Sequence, residues 1–108
     1  MPMDSAIQIV TTMEKRADAE KIAGMLIEKR LAACVQIVGP ILSAYRWKEN
    51  IESAEEWQCL IKTRAGLYGD VEAVIKANHP YEVPEIIAFP ILQGSREYLA
   101  WLHEETHG

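Results

Sequence analysis

Three histidines and two cysteines are the groups in this 108-residue chain best suited to holding a metal or moving a proton near neutral pH. His79 stands directly before Pro80-Tyr81-Glu82-Val83-Pro84-Glu85, which carries a phenol and two carboxylates and is stiffened by its two prolines. A histidine before proline at a helix end reads in two ways, as a cap for the last carbonyls or as a metal ligand. Glu82 and Glu85 likewise belong either to a rigid connection fixing the last strand or to a cleft between subunits where one of them meets a cation. His103 and His107 are four apart and would share one helical face, able to chelate Cu, Ni or Zn with Glu104 nearby. That reading needs a helix persisting into the tail, where chain ends fray; otherwise they are incidental.

Catalysis has less to work with. Nucleophilic or acid–base chemistry needs partnered groups such as Ser-His-Asp or Cys-His, and two of the three histidines lie in the tail. Met13-Glu14-Lys15-Arg16 offers no glycine for a phosphate cradle. The expectation is a protein that is not an enzyme. Cys34 and Cys59 read as small core hydrophobes. With a hairpin turn at Glu49, Cys59 faces Gly39, five positions from Cys34 and roughly 16 Å away, beyond disulfide reach.

The elements that position these residues follow from periodicity. Ile7 to Thr12 is a short β-branched run, a buried strand. From Lys15 to Arg30, Ala19, Ile22, Ala23, Leu26 and Ile27 fall on one helical stripe. Ala33 to Trp47 is strand-like but broken at Gly39-Pro40, where a proline that cannot donate to a ladder predicts a bulge or edge. Lys48-Glu49-Asn50 is the turn and Ile51 to Thr63 the return, with Trp57, Cys59 and Ile61 on one face. Leu67, Val71, Val74 and Ile75 mark a second helix ending near Asn78-His79-Pro80, and Glu85 to Ile91 a fourth strand. Ser95 is a candidate N-cap for a last helix carrying Tyr98, Leu99 and Leu102. The order βαββαβ plus a terminal helix predicts an α+β, ferredoxin-like domain spanning residues 1–108.

Composition narrows the class. Apolar residues make up 49% and charged residues 25%, which excludes a disordered or fibrous chain. A folded monomer of this size should expose roughly 6,000 Å² and bury about two-thirds of its surface, enough for one core. The net charge of −5 argues against nucleic acid, and no run approaches a membrane span. The start, Met1-Pro-Met-Asp-Ser, lacks the regions of an export signal, so a cytoplasmic location is expected. The long strand is the anomaly. Fifteen residues from Ala33 to Trp47 reach about 50 Å, against a domain width of roughly 35 Å. The overshoot carries Tyr45, Trp47 and Trp57: either Pro40 folds the hairpin back onto its own sheet, or sister chains shelter these residues as interface anchors, and an oligomer is the expectation.

Several stretches together resemble the CutA family of divalent-cation tolerance proteins. They are Glu28-Lys29-Arg30-Leu31-Ala32-Ala33-Cys34-Val35, Tyr45-Arg46-Trp47, His79 to Glu85, and Tyr98-Leu99-Ala100-Trp101-Leu102. The resemblance implies a cytosolic homotrimer of ferredoxin-like subunits joined through sheet edges and long hairpins. It also implies a link to tolerance of divalent metals, copper especially, with no agreed enzymatic activity. Copper-binding members use a cysteine at the end of the first strand and histidine before the Pro-Tyr motif. Here those places hold Thr11 and Asn78-His79. A threonine hydroxyl is a poor ligand for soft Cu(I). His79 is therefore carried over as the candidate ligand, binding Cu or another divalent cation weakly, and Thr11 is not. Two further readings stand beside this one: a small-molecule-binding signalling trimer of PII-like architecture, and a scaffold with no direct metal role.

Overall fold

The computed structural model describes residues 4–107, so the first three of the five residues behind the export-signal expectation lie outside the described residues. Eight residues rich in Ile, Val and Thr form β1 (Ala6–Met13), which lies second from one edge of an antiparallel sheet ordered β2-β3-β1-β4. The remaining elements are α1 (Arg16–Glu28), β2 (Cys34–Trp47), β3 (Asn50–Arg64), α2 (Tyr68–Asn78), β4 (Ile86–Pro90) and α3 (Arg96–Glu105). This is the expected α+β, ferredoxin-like order.

Alternation along the strands divides the sheet into two faces. Ile7, Ile9, Thr11 and Met13 point one way, opposite Thr63, Ile61, Cys59 and Trp57. Onto that face α1 packs Ala19, Ile22 and Leu26, and α2 packs Val71 and Ile75, closing the core.

Local chemistry sets the ends of the elements. α1 stops at Glu28, two residues short of the expected Arg30. Arg30 adopts φ 58°, and the Arg30 and Leu31 amides donate back to the Ile27 and Leu26 carbonyls. That is a Schellman closure, its apolar contact made by the buried Leu26 and Leu31, with arginine where glycine is usual. Ser95 caps α3 as its position predicts, accepting the Tyr98 amide. The hairpin turn is tighter than expected: Lys48 and Glu49 both take positive φ, and Asn50 is already back in strand.

The bulge at Gly39-Pro40 is the feature that places the site. Before it Cys34 pairs with Lys62 and Ile37 with Cys59; beyond it Ile41 pairs with Glu56 and Tyr45 with Glu52. One extra residue on β2 reverses which side chains face the helices. Val35 and Ile37 therefore pack against the core, while Tyr45 and Trp47 turn to the far face beside Glu52 and Glu56. Cys59 opposes Ile37, three positions from Cys34, and both thiols are free.

Past the bulge the helices no longer cover the ribbon. The molecule measures 49 × 25 × 21 Å, and Leu42 and Ile51 are each 78% exposed. α3 is tied on by its end: Arg64 Nε donates to the Thr106 carbonyl and hydroxyl, and the His107 amide to the Arg30 carbonyl.

Candidate functional site

α2 ends at Asn78, so His79 begins the segment that crosses back towards the sheet. Its two ring nitrogens are both engaged. The Tyr81 amide, which can only donate, reaches Nδ1 at 3.1 Å; the Thr12 carbonyl, which can only accept, sits 2.7 Å from Nε2. The partners together impose a neutral imidazole protonated on Nε2. Neither sequence reading anticipated this: the ring bonds not its own last turn but a strand 67 positions away. A metal would have to displace the Tyr81 amide or the Thr12 carbonyl to reach a nitrogen.

His79 braces the segment so that Tyr81 reaches over the far face of the sheet. There its hydroxyl donates to Glu56 Oε2 at 2.6 Å. Burial, and then the Glu56 carboxylate, push the phenol well above its ordinary value, so it remains a donor across the physiological range. Tyr81, Glu56, Thr12, Tyr45 and Trp47 line an open cleft of about 680 Å³, with Val83 and Pro84 on one wall. Glu52, Glu82 and Glu85 complete it, and its lining contains no lysine, arginine or histidine. Glu82 and Glu85 therefore line a groove of the single chain. Glu52 and Glu56 went unrecognised, because the face reversal at Gly39-Pro40 is what aligns them with Tyr45.

The other candidates are dispersed. Thr11 lies in the core with its hydroxyl buried and without a partner among the described residues. Cys59 is fully buried, and burial pushes its thiol up to about 11. Cys34 faces away from the core near the Tyr98 hydroxyl. The paired-histidine reading of the tail needs a helix running through His107, and α3 ends at Glu105. His103 Nε2 donates instead to the Asp4 carbonyl at 2.7 Å. Of the expected anchors, Tyr45 and Trp47 are 45% and 37% exposed. Trp57 is half-buried at the edge of its own core, with the Arg16 guanidinium 5.4 Å above its ring. Among the described residues no three His, Cys, Asp or Glu side chains converge to enclose a metal ion. One chain by itself therefore does not fit a closed metal site.

Residues 7–105 match the family described as CutA1 divalent ion tolerance protein. The chain is 44% identical over 98 residues to the divalent-cation tolerance protein CutA of Thermus thermophilus, spanning 91% of this chain and 95% of that one. To the chloroplastic protein CutA of Arabidopsis thaliana it is 41% identical over 101 residues, 94% of this chain but 56% of the longer plant protein. Among solved structures, the periplasmic divalent cation tolerance protein CutA from Archaeoglobus fulgidus superposes with a TM-score of 0.90 at 41% identity. That match covers 93% of this chain and 97% of that one.

Proposed function

The chain belongs to the CutA1 divalent ion tolerance family, and on that footing we propose that it serves divalent-cation tolerance as a homotrimer, binding the metal weakly in clefts between subunits. The observation that carries this reading is the position of the acidic cleft, on the flank of the uncovered hairpin. A neighbouring chain sheltering that ribbon would supply the cleft's missing wall and further ligands.

Three features support assembly. The chain exposes 6923 Å², against roughly 6,000 Å² for a compact monomer of its mass. The excess, about 900 Å², is close to one partner's share of a standard interface. Both sheet edges, β2 and β4, are open, and apolar Val38, Ile87 and Phe89 stand exposed along them. Two different edges meeting head to tail generate a ring when the rotation between copies closes.

The donors set the metal chemistry. Carboxylates at the cleft suit divalent cations that accept oxygen ligands. An imidazole would favour copper, but His79 must first give up a hydrogen bond, at about 1–3 kcal/mol. With Thr11 in place of a thiolate, tight Cu(I) binding is not expected. The role is binding rather than catalysis, since the one histidine near the cleft is consumed as a brace. The two unpaired thiols favour a reducing, cytoplasmic setting.

Calorimetry of the intact protein with Cu(II) and Zn(II) tests this. The double variant Glu82→Gln, Glu85→Gln should weaken binding by about tenfold or more. Absence of binding at millimolar metal, or affinity untouched by that variant, would overturn the assignment. Unchanged copper affinity in His79→Ala would remove that ring as a ligand while leaving the carboxylates in place.

A further inference from the structure

Glu56 is the least expected residue in the cleft. It lies on the cleft lining yet is only 5% exposed, and its one hydrogen-bond donor among the described residues is the Tyr81 phenol. No cationic side chain among the described residues pairs with it. Taking a carboxylate this far from water is costly unless a positive group meets it. The phenol satisfies one oxygen, and no donor among the described residues reaches the other.

The surroundings indicate which positive group. Within one chain, no three His, Cys, Asp or Glu side chains among the described residues converge around Glu56 to enclose a bare metal ion. At about 680 Å³ the cleft also has room for a small organic molecule. Its walls combine Tyr45 and Trp47 with Val83 and Pro84, an aromatic and apolar lining. Such faces attract organic ammonium groups. One example is already in place: Lys48 Nζ stands 5.6 Å from the centre of the Trp47 ring.

We infer that the cleft binds an organic ammonium ion with an apolar body, its charge directed to Glu56 and its body lying along Tyr45, Trp47 and Pro84. Glu52, at the exposed rim, adds attraction at longer range. This rests on reading the cleft as a cation site, and it names a ligand class other than the metal itself. Tyr81 is a positioning residue here: it holds the Glu56 carboxylate while His79 holds Tyr81.

The test is titration of the full-length protein, as purified, with phenethylammonium at fixed ionic strength, beside neutral 2-phenylethanol. The amine should bind about tenfold or more tightly than the alcohol. Glu56→Gln, which still accepts from Tyr81, should remove that preference, whereas Glu104→Gln makes the same charge change on α3 and should leave it intact. Should Glu56→Gln fail to fold, Glu52→Gln at the exposed rim should lower amine affinity by about threefold. Equal binding of amine and alcohol, no binding of either, an unaltered preference in Glu56→Gln, or an equal loss in Glu104→Gln would each overturn the inference. Titration with Zn(II) alone keeps the two readings apart. Zinc binding that depends on Glu82 and Glu85 without any amine preference leaves the metal reading standing and ends this one.

Discussion

Thr11 and Cys59 face each other across β1 and β3 in the core, and both carry polar atoms where water does not reach. The Thr11 hydroxyl is buried without a partner, so Thr11→Val should be neutral or stabilising by about 1 kcal/mol in chemical denaturation. The Cys59 thiol, pushed up to about 11 by burial, should resist thiol reagents at pH 8 until the protein unfolds, while Cys34 reacts. The same displacement fixes an alkaline limit. An unfolded thiol ionises near 9.0, so the unfolded chain sheds a proton that the folded one keeps. Stability is then whole below about pH 9 and falls by about 2–3 kcal/mol as pH climbs through 11. A denaturation series from pH 7 to 11 measures it. His79→Ala should cost about 1–3 kcal/mol by freeing the Tyr81 amide and the Thr12 carbonyl. The place of His79 just past a helix was readable from Asn78-His79-Pro80, but its partners were not, because a contact across 67 positions depends on the closed fold.

The hairpin turns on two local arrangements, of which the sequence announced one. Proline in a strand signalled the bulge, and its register shift of one residue was foreseeable. The consequence for Tyr45 and Trp47 was not drawn, because periodicity alone does not say which face a strand resumes on. Gly39 is needed there for space: a Cβ would come within 2.6 Å of the Trp57 ring. Gly39→Ala should therefore destabilise by about 1–3 kcal/mol and shift tryptophan fluorescence as that ring is displaced. Lys48 and Glu49 sit at φ 47° and 70° in a turn that favours Asn-Gly. The turn itself was expected from polar residues between apolar runs, although its strained conformation was hidden. α1 shows the opposite case, since Lys29-Arg30 continues the helical pattern and only the left-handed Arg30 ends it.

At the scale of the molecule, the sequence foretold a strand of about 50 Å by counting residues at the rise of an extended chain, and the longest dimension is 49 Å. Counting could not reveal that Trp57 is largely spent within its own chain, clamped between Gly39 and Arg16. Trp57→Ala should cost about 3–5 kcal/mol, with the protomer fold bearing part of the loss. Leu42 and Ile51 give a cleaner test of assembly, because nothing in the protomer covers them. Sedimentation should give about 37 kDa, three times the 12.2 kDa of one chain. The double variant Leu42→Asp, Ile51→Asp should move the mass towards that of a single chain. A folded wild type persisting as single chains in dilute solution would remove the trimer and every site assigned to its clefts.

The single surplus residue at Gly39-Pro40 also constrains how relatives of this protein can differ in size. Any change between that point and the hairpin tip must come in even steps matched on both limbs, because an odd one swaps the inside and outside of the whole tip. Length variation should therefore collect in the loops around α3 and at the termini, leaving this ribbon unaltered.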